Sequence, residues 1–302
     1  MKKYIKLYQS FLTILLLCSV VVVPAIAQEE VANETSGSEK DLRPVKNTFE
    51  GMWIIDNQSV MVPVKGTFEF AIQHRFGSIK NGYDDFYGLF APSNIRLGFN
   101  YAPVERLMVG FGFTKQNMTL DFNAKLAIIR QARHGGSPMS LTYFGNVAMD
   151  TRKKENFVNS TDRYSYFNQL ILASKLTENF SVQVAPSLSH FNAIDAYIDE
   201  NNDVVGKMEH DHIAVSVSGR YKIRPSMAII VNYDQPITKH FTNNPNPNIS
   251  FGLEIGTSAH TFQIFCGNYY SIIPQRNNMF NSNNYEDGEF LIGFNITRLW
   301  NY

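Results

Sequence analysis

The sequence predicts an all-β fold, a closed antiparallel transmembrane β-barrel of about 12 strands. Three observations support this prediction: an apolar leader at the start, short segments that alternate between apolar and polar residues, and connections that alternate between short and long. After the leader, no apolar run approaches the ~20 residues of a membrane helix. Only a closed barrel could then cross a bilayer, because an open sheet edge leaves backbone groups unpaired in lipid.

The leader, residues 1–27, has the pattern of a cleavable signal peptide. Lysines precede an apolar run from Phe11 to Val23, and small residues follow up to Ala27. That run is too short for a membrane anchor, so we expect export with cleavage after Ala27. Lys+Arg and Asp+Glu both number 27, and the leader holds three lysines and no acid, so the mature charge would be −3. This balance argues against a nucleic-acid partner, which would require a basic face.

Twelve segments with period-2 alternation follow the leader, an even number as single-chain bacterial barrels favour. The sixth is clearly a strand, but its outward face is ambiguous. A soluble sandwich would alternate too, so alternation alone does not decide between the two folds. The segments lie near residues 67–76, 94–101, 107–114, 120–126, 141–147, 164–175, 180–184, 213–220, 227–231, 249–256, 262–264 and 290–302.

The connections favour the barrel. Joins after strands two, four, six, eight and ten are short, whereas those after strands one, five, seven, nine and eleven are long and polar; only the third join departs from the rhythm. Short periplasmic turns and long outer loops are the arrangement of outer-membrane barrels. The asparagine-rich stretches 243–248 and 277–284 are typical of solvated outer loops.

The predicted barrel spans residues 64–302, and residues 28–63 precede it. The first part of this segment is polar and acidic, typical of disorder, and the stretch 47–66 is richer, with Trp53, Ile54 and Ile55. It could form a plug, cap the periplasmic mouth or lengthen the first strand. We favour a periplasmic lead-in, because chain termini are usually loosely tied.

Four stretches resemble an uncharacterised family of Gram-negative outer-membrane β-barrels, known only as a domain of unknown function: Val64–Gly77, Gly88–Tyr101, Ser271–Asn278 and Ile292–Tyr302. The resemblance covers most of the chain from about Asn47. It implies an outer-membrane barrel and supplies no activity, substrate or catalytic residue. The aromatic end of the last strand resembles the signal read by the outer-membrane assembly machinery. The expected partners are therefore outer-membrane lipid and that machinery, through Phe290 to Tyr302.

Seven charged residues of the inward faces are candidate pore-lining residues: Glu69, Arg75, Arg96, Asp121, Lys125, Arg220 and Glu254. Charged rings in a pore tune which solutes pass. The same residues could instead pair with one another and close the lumen, because twelve strands lie between filled eight-stranded barrels and open porins.

A weaker alternative site combines Ser189 with His210 and His212. The two histidines, two residues apart, could chelate a metal, but no third ligand is identifiable and a polar rim is the simpler interpretation. Ser187 or Ser189 with a histidine could serve nucleophilic catalysis, as in phospholipases among twelve-stranded barrels, although an analogy of fold is weak support. The sequence holds no phosphate loop, zinc-finger spacing or haem motif, and we expect no cofactor.

The leading functional expectation is therefore passage or binding of a small solute in a porin-like barrel. The first alternative is adhesion or assembly through the surface loops. The second is a membrane-embedded hydrolase of the phospholipase type.

Overall fold

The structure is a computed structural model that describes residues 40–301. The predicted signal peptide, residues 1–27, and the terminal Tyr302 lie outside the described residues. Residues from Arg43 onward form one compact unit, to which the following description refers, and Lys40–Leu42 belong to another.

Twelve antiparallel strands form a closed barrel in which each strand pairs with its neighbours in sequence. The predicted fold class is confirmed. The strands are β1 Thr67–Ser78, β2 Asn94–Val104, β3 Leu107–Thr114, β4 Thr119–Ile129, β5 Ser140–Asp150, β6 Tyr164–Lys175, β7 Phe180–Phe191, β8 Asp211–Arg224, β9 Met227–Pro236, β10 Asn248–Gly256, β11 His260–Gly267 and β12 Leu291–Asn301.

The barrel closes where β12 pairs with β1, with Ile296 opposite Ile72. Closure removes the open edges that lipid would not tolerate. In β1 every second residue from Thr67 to Gly77 is buried, while the residues between them point outward. This alternation recurs around the barrel and gives an apolar outer face, on which Phe122 is 55% and Phe251 50% exposed.

The remaining elements are short. One helix, α1 Pro274–Phe280, lies in the loop after β11. Among the described residues, no helix has the length and hydropathy to cross a bilayer. Short strands lie at Asp41–Pro44, Trp53–Ile54, Asn57–Gln58, Ala132–His134, Ala196–Ile198 and Val204–Lys207, and 3-10 turns at Ile79–Asp85, Gln116–Met118, Lys154–Asn156 and Tyr285–Asp287.

The connections keep the predicted rhythm. The turns at 105–106 and 225–226 are two residues long, whereas the loops 192–210 and 268–290 extend from the opposite end of the barrel. The join after β3 is again the exception, because only 115–118 separate it from β4. We call the two ends the short-turn end, where β1 begins, and the long-loop end.

The lumen contains a segment from the N-terminal side of the barrel, residues Phe49–Met61, here called the lumenal hairpin. Its strands Trp53–Ile54 and Asn57–Gln58 pair with each other, and every residue from Gly51 to Val60 is buried. These residues bond to inward side chains of the wall, which a loosely tied periplasmic lead-in would not do. The division of residues 1–63 into signal peptide and lead-in or plug otherwise stays a prediction.

The hairpin explains why the sixth segment was ambiguous from sequence. The inward residues of β6 include Phe167 and Ile171, and its outward residues include Leu170 and Leu172, so both faces are apolar. Phe167 and Ile171 join a buried cluster that contains Ile54 and Ile55 of the lumenal hairpin. The inward face of β6 therefore packs against protein.

Candidate functional site in the lumen and at its long-loop end

All seven candidate pore-lining residues lie on the inner face and are buried, but they do not form an open charged ring. Arg96 and Asp121 make a two-pronged ion pair, with Nη2–Oδ1 at 2.8 Å and Nε–Oδ2 at 2.9 Å. Asp121 also accepts from Asn146 at 2.9 Å. A Cβ atom on Gly112 would overlap the Arg96 guanidinium, so glycine on β3 makes room for this pair.

A second ion pair joins Arg220 to Glu254, with Nε–Oε1 at 2.7 Å. Arg220 also reaches Glu50 of the lumenal hairpin, with Nη2–Oε2 at 3.2 Å. The remaining oxygen of Glu254 accepts from Gln263 at 2.9 Å. The charges of Arg220 and Glu254 are therefore satisfied by each other, by Gln263 and by the hairpin.

Glu69 and Arg75 have partial partners. Glu69 accepts from Asn100 at 2.9 Å, and its second carboxylate oxygen has no hydrogen-bond partner in the described part of the chain. Arg75 donates to Asn295 at 3.0 Å and lies over the Phe265 ring at 4.5 Å. The seven residues thus divide into two ion pairs and three separate contacts, and Glu69 and Arg75 keep unpaired polar atoms within the described lumen.

Lys125 is the strongest single contact between wall and hairpin. Its ammonium group lies 3.0 Å from Met52 O and 3.1 Å from both Ser59 O and Met61 O. A lysine has three N–H donors, so each proton is matched by one carbonyl. Because the carbonyls come from both arms of the hairpin, Lys125 fixes its two arms together against β4.

Side-chain amides of the wall bind the hairpin backbone as a neighbouring strand would. Gln183 accepts from Val60 N at 3.0 Å and donates to Gln58 O at 2.7 Å. Gln263 accepts from Ile55 N at 3.2 Å and donates to Trp53 O at 2.9 Å. Backbone groups buried without water need such partners, which explains why inward glutamines face an inserted hairpin.

The hairpin tip meets elements that descend from the long-loop end. Asp56 accepts from Tyr269 Oη and Asn277 Nδ2, both at 2.7 Å, and from Asn232 Nδ2 at 3.2 Å. Ile55, beside it, has φ 59°, a backbone conformation that costs energy for a β-branched residue. The surrounding contacts hold this strained turn in place. The lumen is therefore filled from both ends.

Helix α1 is the element that enters from the long-loop end, against the expectation of a solvated loop at 277–284. Gln275 donates to Asn146 at 3.0 Å, and Asn278 donates to Ser187 at 3.2 Å. Asn277, Asn278 and Asn281 are buried. That expectation was wrong for these residues because an asparagine side chain suits a buried amide network as well as it suits water.

The structure places Ser189 opposite His212 on neighbouring strands, both fully buried, and separates His210 from them. His210 Nδ1 lies 2.7 Å from Phe191 O, whereas His212 Nδ1 lies 2.9 Å from Nε2 of His240, a residue that the sequence did not point to. The two sequence-adjacent histidines therefore do not act together. Among residues 40–301 no three His, Cys, Asp or Glu side chains are grouped as metal ligands.

The hydrogen bonds of this cluster also assign its protons. Glu209 N–H donates to His240 Nδ1 at 3.0 Å, so neutral His240 carries its proton on Nε2 and donates it to His212 Nδ1. Neutral His212 then carries its own proton on Nε2. A general base must offer an unprotonated nitrogen to serine, so this arrangement does not activate Ser189. Burial lowers the pKa of His240, in the outer loop, which favours the neutral form.

A cavity of about 270 Å³ lies at the long-loop end. Its lining brings together three arginines, Arg152, Arg163 and Arg276, from the loop after β5 and from α1. Burial lowers the pKa of Arg276, which shows the cost of holding its charge away from water. No sequence pattern points to this cavity, because its lining includes residues more than 100 positions apart.

The membrane bound beta barrel domain family (DUF5777) matches residues 49–300. The chain belongs to this family. The matched range begins at the first residue of the lumenal hairpin, so the family domain includes the hairpin together with the barrel. The resemblance read from the sequence is confirmed, and the chain is a membrane-bound β-barrel.

Several solved barrels are similar in fold. A NanC porin structure has 11% identity and a TM-score of 0.47 over 78% of this chain and 99% of that one. An outer membrane channel from Pseudomonas putida F1 has 14% identity and a TM-score of 0.46 over 80% and 97%. The KdgM porin has 8% identity and a TM-score of 0.41 over 78% and 99%. No curated protein matches the chain.

Proposed function

We propose that this protein is an outer-membrane barrel for small solutes that is closed at rest by the lumenal hairpin. The observation that carries the proposal is the occupied lumen, in which all residues from Gly51 to Val60 are buried within a closed ring of strands. Passage then requires the hairpin to shift or withdraw toward the short-turn end.

The contacts of the hairpin suit a removable closure. The wall holds it by side-chain hydrogen bonds from residues such as Lys125, Gln183 and Gln263. A neutral hydrogen bond adds only about 0.5–1.5 kcal/mol net and one to a charged group such as Lys125 about 1.5–3 kcal/mol, since water replaces it when broken. The hairpin precedes β1 in the chain and contributes no strand to the barrel, so it can leave while every wall pairing remains.

Conductance in planar bilayers tests this proposal. We expect the mature wild-type protein to be mostly closed and a variant lacking residues 43–62 to conduct steadily. Lys125→Met should open intermittently, because it removes three bonds to the hairpin. Lys222→Met is the matched control, since Lys222 Nζ donates no hydrogen bond within the described residues, and it should remain closed.

Two outcomes would contradict the proposal. A wild-type conductance equal to that of the deletion variant would show that the hairpin does not close the lumen. Silence of both the deletion variant and Lys125→Met, after each is shown to be a folded barrel by its heat-modifiable gel mobility, would show that loss of the hairpin does not open the lumen, which helix α1 also enters.

The location belongs to the same proposal. A membrane-bound barrel with a predicted export signal and short turns at the end that holds the N-terminus of β1 fits the outer membrane. We expect cell fractionation to recover the mature chain in the outer membrane. Recovery as a soluble periplasmic protein would contradict this.

The hydrolase alternative receives no support from the site. Ser189 and His212 lie on the inner wall, and the hydrogen-bond chain through His240 leaves His212 with a protonated Nε2. We therefore expect the Ser189→Ala variant and the wild type to give the same result in a phospholipase assay.

A further inference from the structure

The cavity at the long-loop end differs from the lumen in the state of its charges. In the lumen, Arg96 and Arg220 each have a carboxylate partner, and Arg75 has no ion pair but donates to Asn295. In the cavity, Arg152 is paired with Asp150, with Nη2–Oδ2 at 2.7 Å. Arg163 and Arg276 have neither an ion pair nor a side-chain hydrogen bond within residues 40–301. Two guanidinium groups thus line one cavity with their donors unused.

Arg276 is largely withdrawn from water, and the carboxylates of Asp150 and Asp195 stabilise its charge without a hydrogen bond to it. Arg276 is half-buried on α1, with its guanidinium over the Phe280 ring at 5.3 Å, and Arg163 lies over the Phe157 ring at 4.7 Å. A cation within about 6 Å of a ring face is attracted to it, and this attraction leaves the N–H donors of the guanidinium available. A guanidinium edge matches a carboxylate with two parallel hydrogen bonds.

The same cavity also offers acceptors. Asp162 accepts from Asn159 N at 2.7 Å and Asp195 accepts from Asn243 at 3.2 Å. Each carboxylate has further lone pairs, which hydroxyl groups satisfy well. The mixture of free guanidinium donors, carboxylate acceptors and aromatic rings therefore fits a solute that carries both an anionic group and hydroxyls.

We propose that this cavity binds a small organic anion that bears a carboxylate and several hydroxyl groups, with Arg276 recognising the carboxylate. This inference rests on the proposed function, since it names the class of solute that the barrel handles. The volume of about 270 Å³ is just below the ~300–1,000 Å³ of sites for drug-sized ligands. The site therefore has room for a solute of about one sugar ring.

The position of the site also connects it to the closure of the lumen. Asn277, the residue after Arg276 on α1, donates to Asp56 at the hairpin tip at 2.7 Å. A solute bound to Arg276 therefore lies one residue from the contact between α1 and the lumenal hairpin.

Calorimetric titration of the mature protein in detergent tests the proposal with three probes. D-glucuronate carries the carboxylate and the hydroxyls, D-glucose has the same ring without the charge, and acetate has the charge without the ring. We expect saturable binding of glucuronate, and binding at least about tenfold weaker for the other two, because each lacks one set of hydrogen bonds. Equal binding of glucose and glucuronate, or no binding of glucuronate at millimolar concentration, would overturn the proposal.

Two arginine variants identify the residue. Arg276→Gln should weaken glucuronate binding by about tenfold or more, since it removes a charge-assisted bidentate contact. Arg224→Gln, exposed at the short-turn end, should bind as the wild type does. Wild-type affinity in Arg276→Gln, with heat-modifiable mobility intact, would contradict the assigned role.

This titration requires no passage, so its failure differs from failure of the proposed function. If the barrel binds glucuronate but never conducts, the proposed binding site stands and the proposed passage of solutes is wrong. A conducting barrel that ignores glucuronate would mean the reverse.

Discussion

Two regions of the lumen wall, the charged region β1 to β4 and the apolar region β5 and β6, differ in chemistry. The difference shows what the lumen contains. Strands β1 to β4 present charge inward, with the Arg96–Asp121 pair and Lys125. Strands β5 and β6 present Phe144, Phe167 and Ile171. On a wall that faced water throughout, these apolar side chains would be unfavourable. They face inward because Ile54, Ile55 and Val60 of the lumenal hairpin pack against them.

The largest loss of stability is expected when the ion pair of the charged region is broken. Arg96→Met leaves Asp121 buried with Asn146 as its remaining donor. Removing one partner of a buried ion pair costs about 3–5 kcal/mol of the free energy of unfolding. Urea unfolding in detergent, followed by tryptophan fluorescence, measures it.

The double variant Arg96→Met with Asp121→Leu is the control. Replacing both partners by apolar residues leaves no unpaired charge, so most of the stability should return. If the single and double variants were equally unstable, packing around Gly112 would be the cause in place of charge.

The apolar region, β5 and β6, provides the next test. Ile171→Ala should lower the free energy of unfolding by about 2–5 kcal/mol, because it opens a void against the lumenal hairpin. Its neighbour Leu170 points outward and is 45% exposed, so Leu170→Ala leaves no enclosed void and should cost less. A smaller loss for Ile171→Ala than for Leu170→Ala would mean that β6 faces water and that the hairpin is not packed there.

The outer face gives a third comparison. Here the side chains of a strand face lipid, whereas those of its inner row face protein. Phe251 on β10 is half exposed and pairs with Cys266. Phe251→Arg should cost about 2–4 kcal/mol if the position lies near the bilayer midplane. Phe251→Leu should be tolerated, and unchanged folding of the arginine variant in liposomes would place this residue outside the lipid-facing band.

These contrasts explain which parts of the molecule the sequence could predict. Lipid imposes one simple requirement on every strand, so twelve strands and the closure of β12 on β1 followed from alternation and loop length, while the outward face of β6 stayed ambiguous. The role of the seven inward charges as pore-lining residues stays a prediction, and which of them pair could not be read from the sequence, because strand spacing does not give the contacts inside a lumen.

The filling of the lumen was harder to predict because it depends on contacts between distant residues. The tip contact joins Asp56 to Asn277 over 221 positions, and the tip itself uses Ile55 at φ 59°, which no propensity favours. One signal was available. The ambiguity of β6, apolar on both faces, is what an occupied lumen produces, whereas a water-filled one would need polar residues there.

The smallest effect on stability is expected at the end of β12, where the proposed partner is the outer-membrane assembly machinery. Trp300 packs on Phe68 with ring centroids 5.6 Å apart and pairs with it across the closure of the barrel. Deleting residues 300–302 removes this contact, while the pairing from Leu291 to Leu299 remains. The free energy of unfolding should fall by only about 1 kcal/mol, the scale of one aromatic pair.

Assembly in cells should respond much more strongly if the aromatic end is the recognition signal. We expect the truncated chain to refold in detergent with near-normal heat-modifiable mobility, and yet to be degraded or retained in the periplasm of cells. Trp300→Phe is the control, since it keeps an aromatic ring and should assemble. Normal outer-membrane levels of the truncated chain would show that Trp300 is an ordinary aromatic of the membrane interface, because its loss would then cost no more in cells than in detergent.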